Sequence, residues 1–83
     1  ARDHISNFEA SGELGKPLVK QLTNRLDQAQ HQLEKGSITQ AIKKMEDFLK
    51  HLNNNGMEKF ISENAKIQLN ADANAIMEGI KKY

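Results

Sequence analysis

Cysteine is absent from this 83-residue chain, which removes disulfide frameworks, thiolate metal sites and cysteine nucleophiles from consideration. The absence suits the cytoplasm and equally suits secreted proteins of bacteria that seldom use disulfides. Tryptophan is also absent, and the aromatics are three Phe and one Tyr. That is a poor supply for the exposed stacking platforms of glycan- and single-strand-binding surfaces. No apolar run approaches the roughly 20 residues that span a bilayer, and no leader-peptide pattern stands at the front. Neither sign of charge dominates: 12 basic and 11 acidic side chains give a net +1, and the densest basic clusters are the pairs Lys43-Lys44 and Lys81-Lys82. The basic stripe of a nucleic-acid binder is missing, so no nucleic-acid partner and no membrane insertion are expected. The length fits one domain with one modest core. The first residue is Ala1 rather than Met, as expected of a chain that has been processed or cut from something longer.

Proline occurs once, as Pro17, and β-branched residues are few, so the sequence leans to helix. Leu18, Val19, Leu22, Leu26, Ala29 and Leu33 fall within an arc of roughly 100° at helical spacing, which predicts an amphipathic helix over about 17–35. Pro17 fits its first turn, where the missing N–H is not needed. Ile38, Ala41, Ile42, Met45, Phe48, Leu49 and Leu52 predict a second such helix over 38–52. Between them, Gly36 supplies a left-handed helix terminus and Ser37, with Gln40 three residues on, forms a capping box. Two residues thus close one helix and open the next, which forces an antiparallel αα-hairpin.

Asn53-Asn54-Asn55-Gly56 ends the second hairpin helix, and a short connection carrying Phe60 and Ile61 leads to Ser62, an N-cap. A last helix over about 63–82 places Ala65, Leu69, Ala73, Ile76 and Ile80 on one face, and Ile5 and Phe8 predict a short first helix over 2–11, stopped by Gly12. The expected fold is all-α: a compact four-helix bundle with a central antiparallel αα-hairpin. Its core is expected to hold Leu22, Leu26, Ala29, Leu33, Ile42, Met45, Leu49, Leu69, Ala73 and Ile76.

Chemistry-bearing patterns are scarce. Gly12-Glu13-Leu14-Gly15-Lys16-Pro17 has the Gly-Lys of a phosphate loop but follows a helix, and proline stands where Ser or Thr is required. Asp27/His31 and Asp47/His51 have the i,i+4 spacing of zinc ligands, yet each pair points away from its helix's apolar arc, toward solvent, so the two do not converge. His4 is a lone histidine, and Asn53–Lys59 offers a calcium loop a single carboxylate, Glu58. No nucleophile–base arrangement and no carboxylate pair within an apolar face is discernible. No catalytic residue, cofactor or metal is therefore expected, and the chain is not expected to be an enzyme. A candidate interaction surface remains. Ile67, Ala71 and Ala75 form a row on the last helix away from its main arc, open either to the first helix of the same fold or to a neighbouring domain. Phe60 and Tyr83 are the aromatics left for display, and Phe60 equally suits a plug for the core beneath a loop.

The run Ile5-x2-Phe8-x3-Gly12, Leu22-x3-Leu26-x2-Ala29-x3-Leu33-x2-Gly36, Ala41-Ile42-x2-Met45-x2-Phe48-Leu49 and Lys59-Phe60-Ile61-Ser62-x2-Ala65-x3-Leu69-x3-Ala73 resembles the FIMAH domain along nearly the whole chain. The resemblance implies a small helical module near the C-terminus of secreted or surface-bound enzymes of Bacillus-like, Gram-positive bacteria, with no catalytic residues of its own. It implies attachment or interdomain interaction. Its partners would be a neighbouring domain of a larger parent protein and, in an attachment role, a cell-wall or substrate component. The domain itself is expected to be a monomer. The stretch 33–49 is also similar to a tetratricopeptide hairpin, although such solenoids need about three repeats and one is visible.

Overall fold

A computed structural model of the chain describes residues 2–82, and every regular element among them is helical. Helix α1 spans Arg2–Ser11, α2 Lys16–Glu34, α3 Ile38–Leu52 and α4 Glu63–Lys81. Each lies within a residue of its sequence-based bounds, and the architecture is the expected all-α bundle around the α2–α3 hairpin. The departure lies between α3 and α4, where the expected irregular connection is a 3-10 helix over Asn55–Phe60. Asn54 starts it, its side chain accepting the Gly56 N–H at 2.9 Å.

The hairpin closes through backbone chemistry. Gly36 sits at φ +78. Its N–H donates to the Leu33 carbonyl at 2.9 Å and the Ser37 N–H to that of Gln32 at 2.8 Å. These are the two bonds of a Schellman motif. The expected capping box is not formed: Ser37 has ψ 76 instead of the extended angle of an N-cap, and its side chain makes no cap bond. With only two residues between the helices, Ser37 is committed to closing α2 and cannot also aim its hydroxyl into α3. Ser62, free of that double duty, has ψ 159 and accepts the Ala65 N–H at 3.0 Å.

The core is built from Leu18, Leu22, Leu26 and Ala29 of α2, Ala41, Met45, Phe48 and Leu52 of α3, and Leu69, Ala73 and Ile80 of α4. Ile5 of α1 and Leu14 of the following loop complete it. Leu33, Ile42, Leu49 and Ile76, expected inside, reach only its edge. In α3 the inward seam runs through Ala41 and Phe48, which turns their successors Ile42 and Leu49 about 100° aside.

Helix α1 lies across α2 and α4. The Arg2 guanidinium approaches Asp27 at 2.7 Å and donates to Gln30 Oε1 at 3.0 Å, while His4 Nδ1 meets Asp72 of α4. Gly12, at φ +83, ends α1. The loop behind it then meets the segment before α4 in one antiparallel bridge, Leu14 with Ile61. The Gly15 N–H donates to the Phe60 carbonyl at 2.7 Å and the Ser62 N–H to that of Glu13 at 2.8 Å.

Candidate functional site

Of the residues expected to form an interaction surface, three come together. Ile67 is 62% exposed, and Ala71 and Ala75 are exposed beside it at successive four-residue steps along α4. The sequence left this row open to the first helix or to an outside partner. Helix α1 meets α4 at Asp72 instead, and the row stays uncovered. Phe60 does not join it. Its ring is half-buried against Gly15 under the α1–α2 loop, with Lys59 Nζ 5.2 Å from the ring centroid. It is a structural plug rather than a displayed platform. Tyr83 lies outside the described residues.

A second surface was not anticipated. A cleft of about 440 Å³ opens between α2 and α4, walled by Leu26, Ala29, Leu33, Met45, Ile76 and Ile80, with Arg2, Asp3 and Gln30 at its mouth. Its cause is a mismatch of lengths: α1 has 10 residues and the helices it lies on have 19 each. At 1.5 Å per residue, α1 covers about 15 Å of a groove about 28 Å long. The signal was present in the sequence, since a two-residue apolar pattern in the first helix cannot cover two five-turn stripes. Leu33 and Ile76 therefore stand at the edge of the core instead of inside it.

The two carboxylates of perturbed acidity, Glu13 and Asp72, tie elements together and line neither surface. Glu13 accepts hydrogen bonds from Ser62, Ser11 and Asn64, at 2.9, 3.0 and 3.4 Å, which hold its carboxyl below the ordinary range. At Asp72, burial works to raise the pKa, but the bonds from His4 and Gln68 outweigh it, and the carboxyl is held below its usual value. The two Asp/His pairs remain on separate helices. Asp27 is engaged by Arg2, and Asp47 and His51 are half-buried on the flank of α3, not turned fully to solvent as expected. Among the described residues no group of three or more His, Asp or Glu side chains is placed to hold a metal ion. Nor is any described helix long and apolar enough to cross a membrane.

The model of the FIMAH domain matches residues 1–78. The chain belongs to the FIMAH domain family. The match runs from α1 to Glu78 near the end of α4, so the unit of the family is the whole bundle and not the hairpin alone. Comparison with curated proteins finds no match. In this FIMAH domain the features that carry the family resemblance are mainly caps and core: Gly12 and Gly36 as helix terminators, Ser62 as N-cap, and Leu22, Leu26, Ala29, Met45, Phe48 and Leu69 inside.

Proposed function

We propose that this FIMAH domain is a non-catalytic accessory module of a larger secreted or cell-surface bacterial enzyme, acting by attachment or by packing against a neighbouring domain. The observation that carries this reading is the family match across the entire bundle. Two features of the surface support it. The carboxylates with perturbed acidity, Glu13 and Asp72, are spent on tying helices together, and each candidate surface carries apolar side chains: Ile67, Ala71 and Ala75 on one side of α4, Leu33 and Ile76 in the cleft on another. A tetratricopeptide-like adaptor would stack successive hairpins, whereas here α4 packs on the single hairpin and shares its core.

Deletion of the domain from its parent is the test. Turnover of a small soluble substrate should stay nearly unchanged, while retention on cells or on insoluble substrate should fall. Ile67→Glu should weaken retention without unfolding the domain. A hundredfold loss of kcat in a still-folded truncation, about 2.7 kcal/mol of barrier, would sink the accessory-module reading.

A further inference from the structure

The corner between α3 and α4 carries a run that neither candidate surface uses, Asn53-Asn54-Asn55-Gly56. An asparagine amide carbon can be attacked by the backbone nitrogen that follows it, and what surrounds that nitrogen decides the rate. Asn7, Asn24, Asn70 and Asn74 lie inside α-helices, where the following N–H is held in the backbone ladder. The N–H after Asn64 donates to Ser62 Oγ at 3.0 Å. Asn53 and Asn54 are each followed by another asparagine, whose Cβ crowds the approach. Their side chains are engaged as well: Asn53 and Asn70 exchange amide hydrogen bonds at 2.9 and 3.0 Å, and Asn54 Oδ1 accepts the Gly56 N–H at 2.9 Å. Asn55 differs. It is exposed, and it is the asparagine that precedes a glycine, so no Cβ shields the nitrogen of residue 56. It begins the 3-10 helix Asn55–Phe60, none of whose residues is fully buried, a segment of the kind that opens locally ahead of global unfolding.

We propose that Asn55 is a site of spontaneous covalent modification, with the Asn54 side chain as the brake on it. The Gly56 nitrogen, once it has given up its proton, attacks Asn55 Cγ. A C–N bond forms, the side-chain amide leaves as ammonia, and residues 55 and 56 share a five-membered succinimide ring. Water then opens the ring at one of its two carbonyls. The product is aspartate on the ordinary main chain or isoaspartate, whose main chain runs through Cβ and Cγ. The brake is the bond from the Gly56 N–H to Asn54 Oδ1, which secures the proton that must be lost and fixes the nitrogen in the helix. Either product adds one negative charge to a chain whose net charge is +1. Isoaspartate also lengthens the main chain by one carbon, at the start of the turn that carries Phe60 to Gly15 and Ile61 to its bridge with Leu14.

The test incubates the 83-residue chain in mildly alkaline buffer and follows each asparagine by peptide mapping and mass spectrometry. Isoaspartate is scored with an isoaspartyl methyltransferase. Asn55 should convert at least tenfold faster than every other asparagine. Gly56→Ala should slow it at least tenfold; the new Cβ lies 3.4 Å from Asn54 Oδ1, an ordinary contact that leaves the cap in place. Asn54→Ala should speed conversion at least threefold, whereas Asn54→Asp, which keeps an acceptor oxygen, should make it no faster. Conversion at Asn55 no faster than at Asn53 or Asn54 overturns the proposal. So does an Asn55 that stays intact in the folded chain while the urea-unfolded chain reacts. An unchanged rate in Asn54→Ala, or a raised one in Asn54→Asp, overturns the brake. Circular dichroism before incubation checks that each variant is folded, and Asn54→Asp carries the test of the brake if Asn54→Ala is not.

Discussion

Gly36 and Gly15 are both indispensable, for opposite reasons. At Gly36 nothing lies within 4 Å of the point where a Cβ would stand, but the backbone is at φ +78. The constraint is conformational, so asparagine, which tolerates this region, should be accepted better than a β-branched residue. Gly36→Val is expected to cost about 1–3 kcal/mol and Gly36→Asn clearly less, as measured by urea unfolding. At Gly15 the backbone is ordinary, φ −81, but a Cβ would come within 2.8 Å of Phe60 Cδ1 and 3.2 Å of its Cβ. That constraint is crowding against a packed ring, and Gly15→Ala should destabilise by about 1–3 kcal/mol. Adding Phe60→Leu should return part of that loss, a coupling that a double-mutant cycle would detect. Equal additive losses would show that the ring does not press on Gly15. Gly36 was legible in the sequence because its role is local, at the end of an apolar period. Gly15 was not, because the ring that restricts it arrives from the far side of the hairpin.

Among the elements, α1 and the corner before α4 join a small buried area to several polar contacts. Ile5 is the one fully buried residue of α1, whose other anchors are Arg2 to Asp27 and Gln30, and His4 to Asp72. Glu13 similarly fastens the α1–α2 loop to the start of α4 through Ser62 and Asn64. Both carboxyls are lowered from ordinary values of 3.8 for Asp72 and 4.5 for Glu13. A carboxyl lowered by folding releases its proton more readily in the native chain than in the unfolded one. Its stabilisation is therefore complete above the ordinary pKa and is lost as pH falls through the lower, folded one. Stability should accordingly decline below about pH 4.5, where Glu13 begins to protonate in the unfolded chain. Asp72→Asn should flatten the lower part of that decline. Urea midpoints measured from pH 6 to pH 2 would show it; an unchanged slope in Asp72→Asn would exclude the His4–Asp72–Gln68 cluster as the acid-labile tie. The spans of the four helices were legible because each has a one-sided apolar period. The short helix at Asn55–Phe60 has no such period and owes its form to the Asn54 cap and the bridge at Ile61.

For the molecule as a whole, surface and size decide whether the bundle needs a partner to be compact. A 9.4 kDa monomer is expected to expose about 5,000 Å², and this chain exposes 5065 Å². Its radius of gyration, 12.3 Å, is close to the roughly 12 Å expected of a domain this long. The bundle thus reaches ordinary monomer compactness despite the cleft beyond α1. The reason is that the central seam, where Phe48, Met45, Leu22, Leu18 and Leu69 are sealed from water, lies between α2, α3 and α4. Helix α1 only closes one side of that seam. Sequence periodicity could find the seam, because it is written within each helix. The open half of the groove is written in no single helix: it follows only from setting the short apolar pattern of the first helix against the longer stripes of α2 and α4. Residues 1–83 alone should therefore unfold in one cooperative transition, with a urea m-value of about 1 kcal/mol/M. The midpoint should not move when protein concentration is raised a hundredfold. A midpoint that climbs with concentration would mean that copies shield each other's apolar faces, and the bundle would then be an oligomer whose subunits depend on one another.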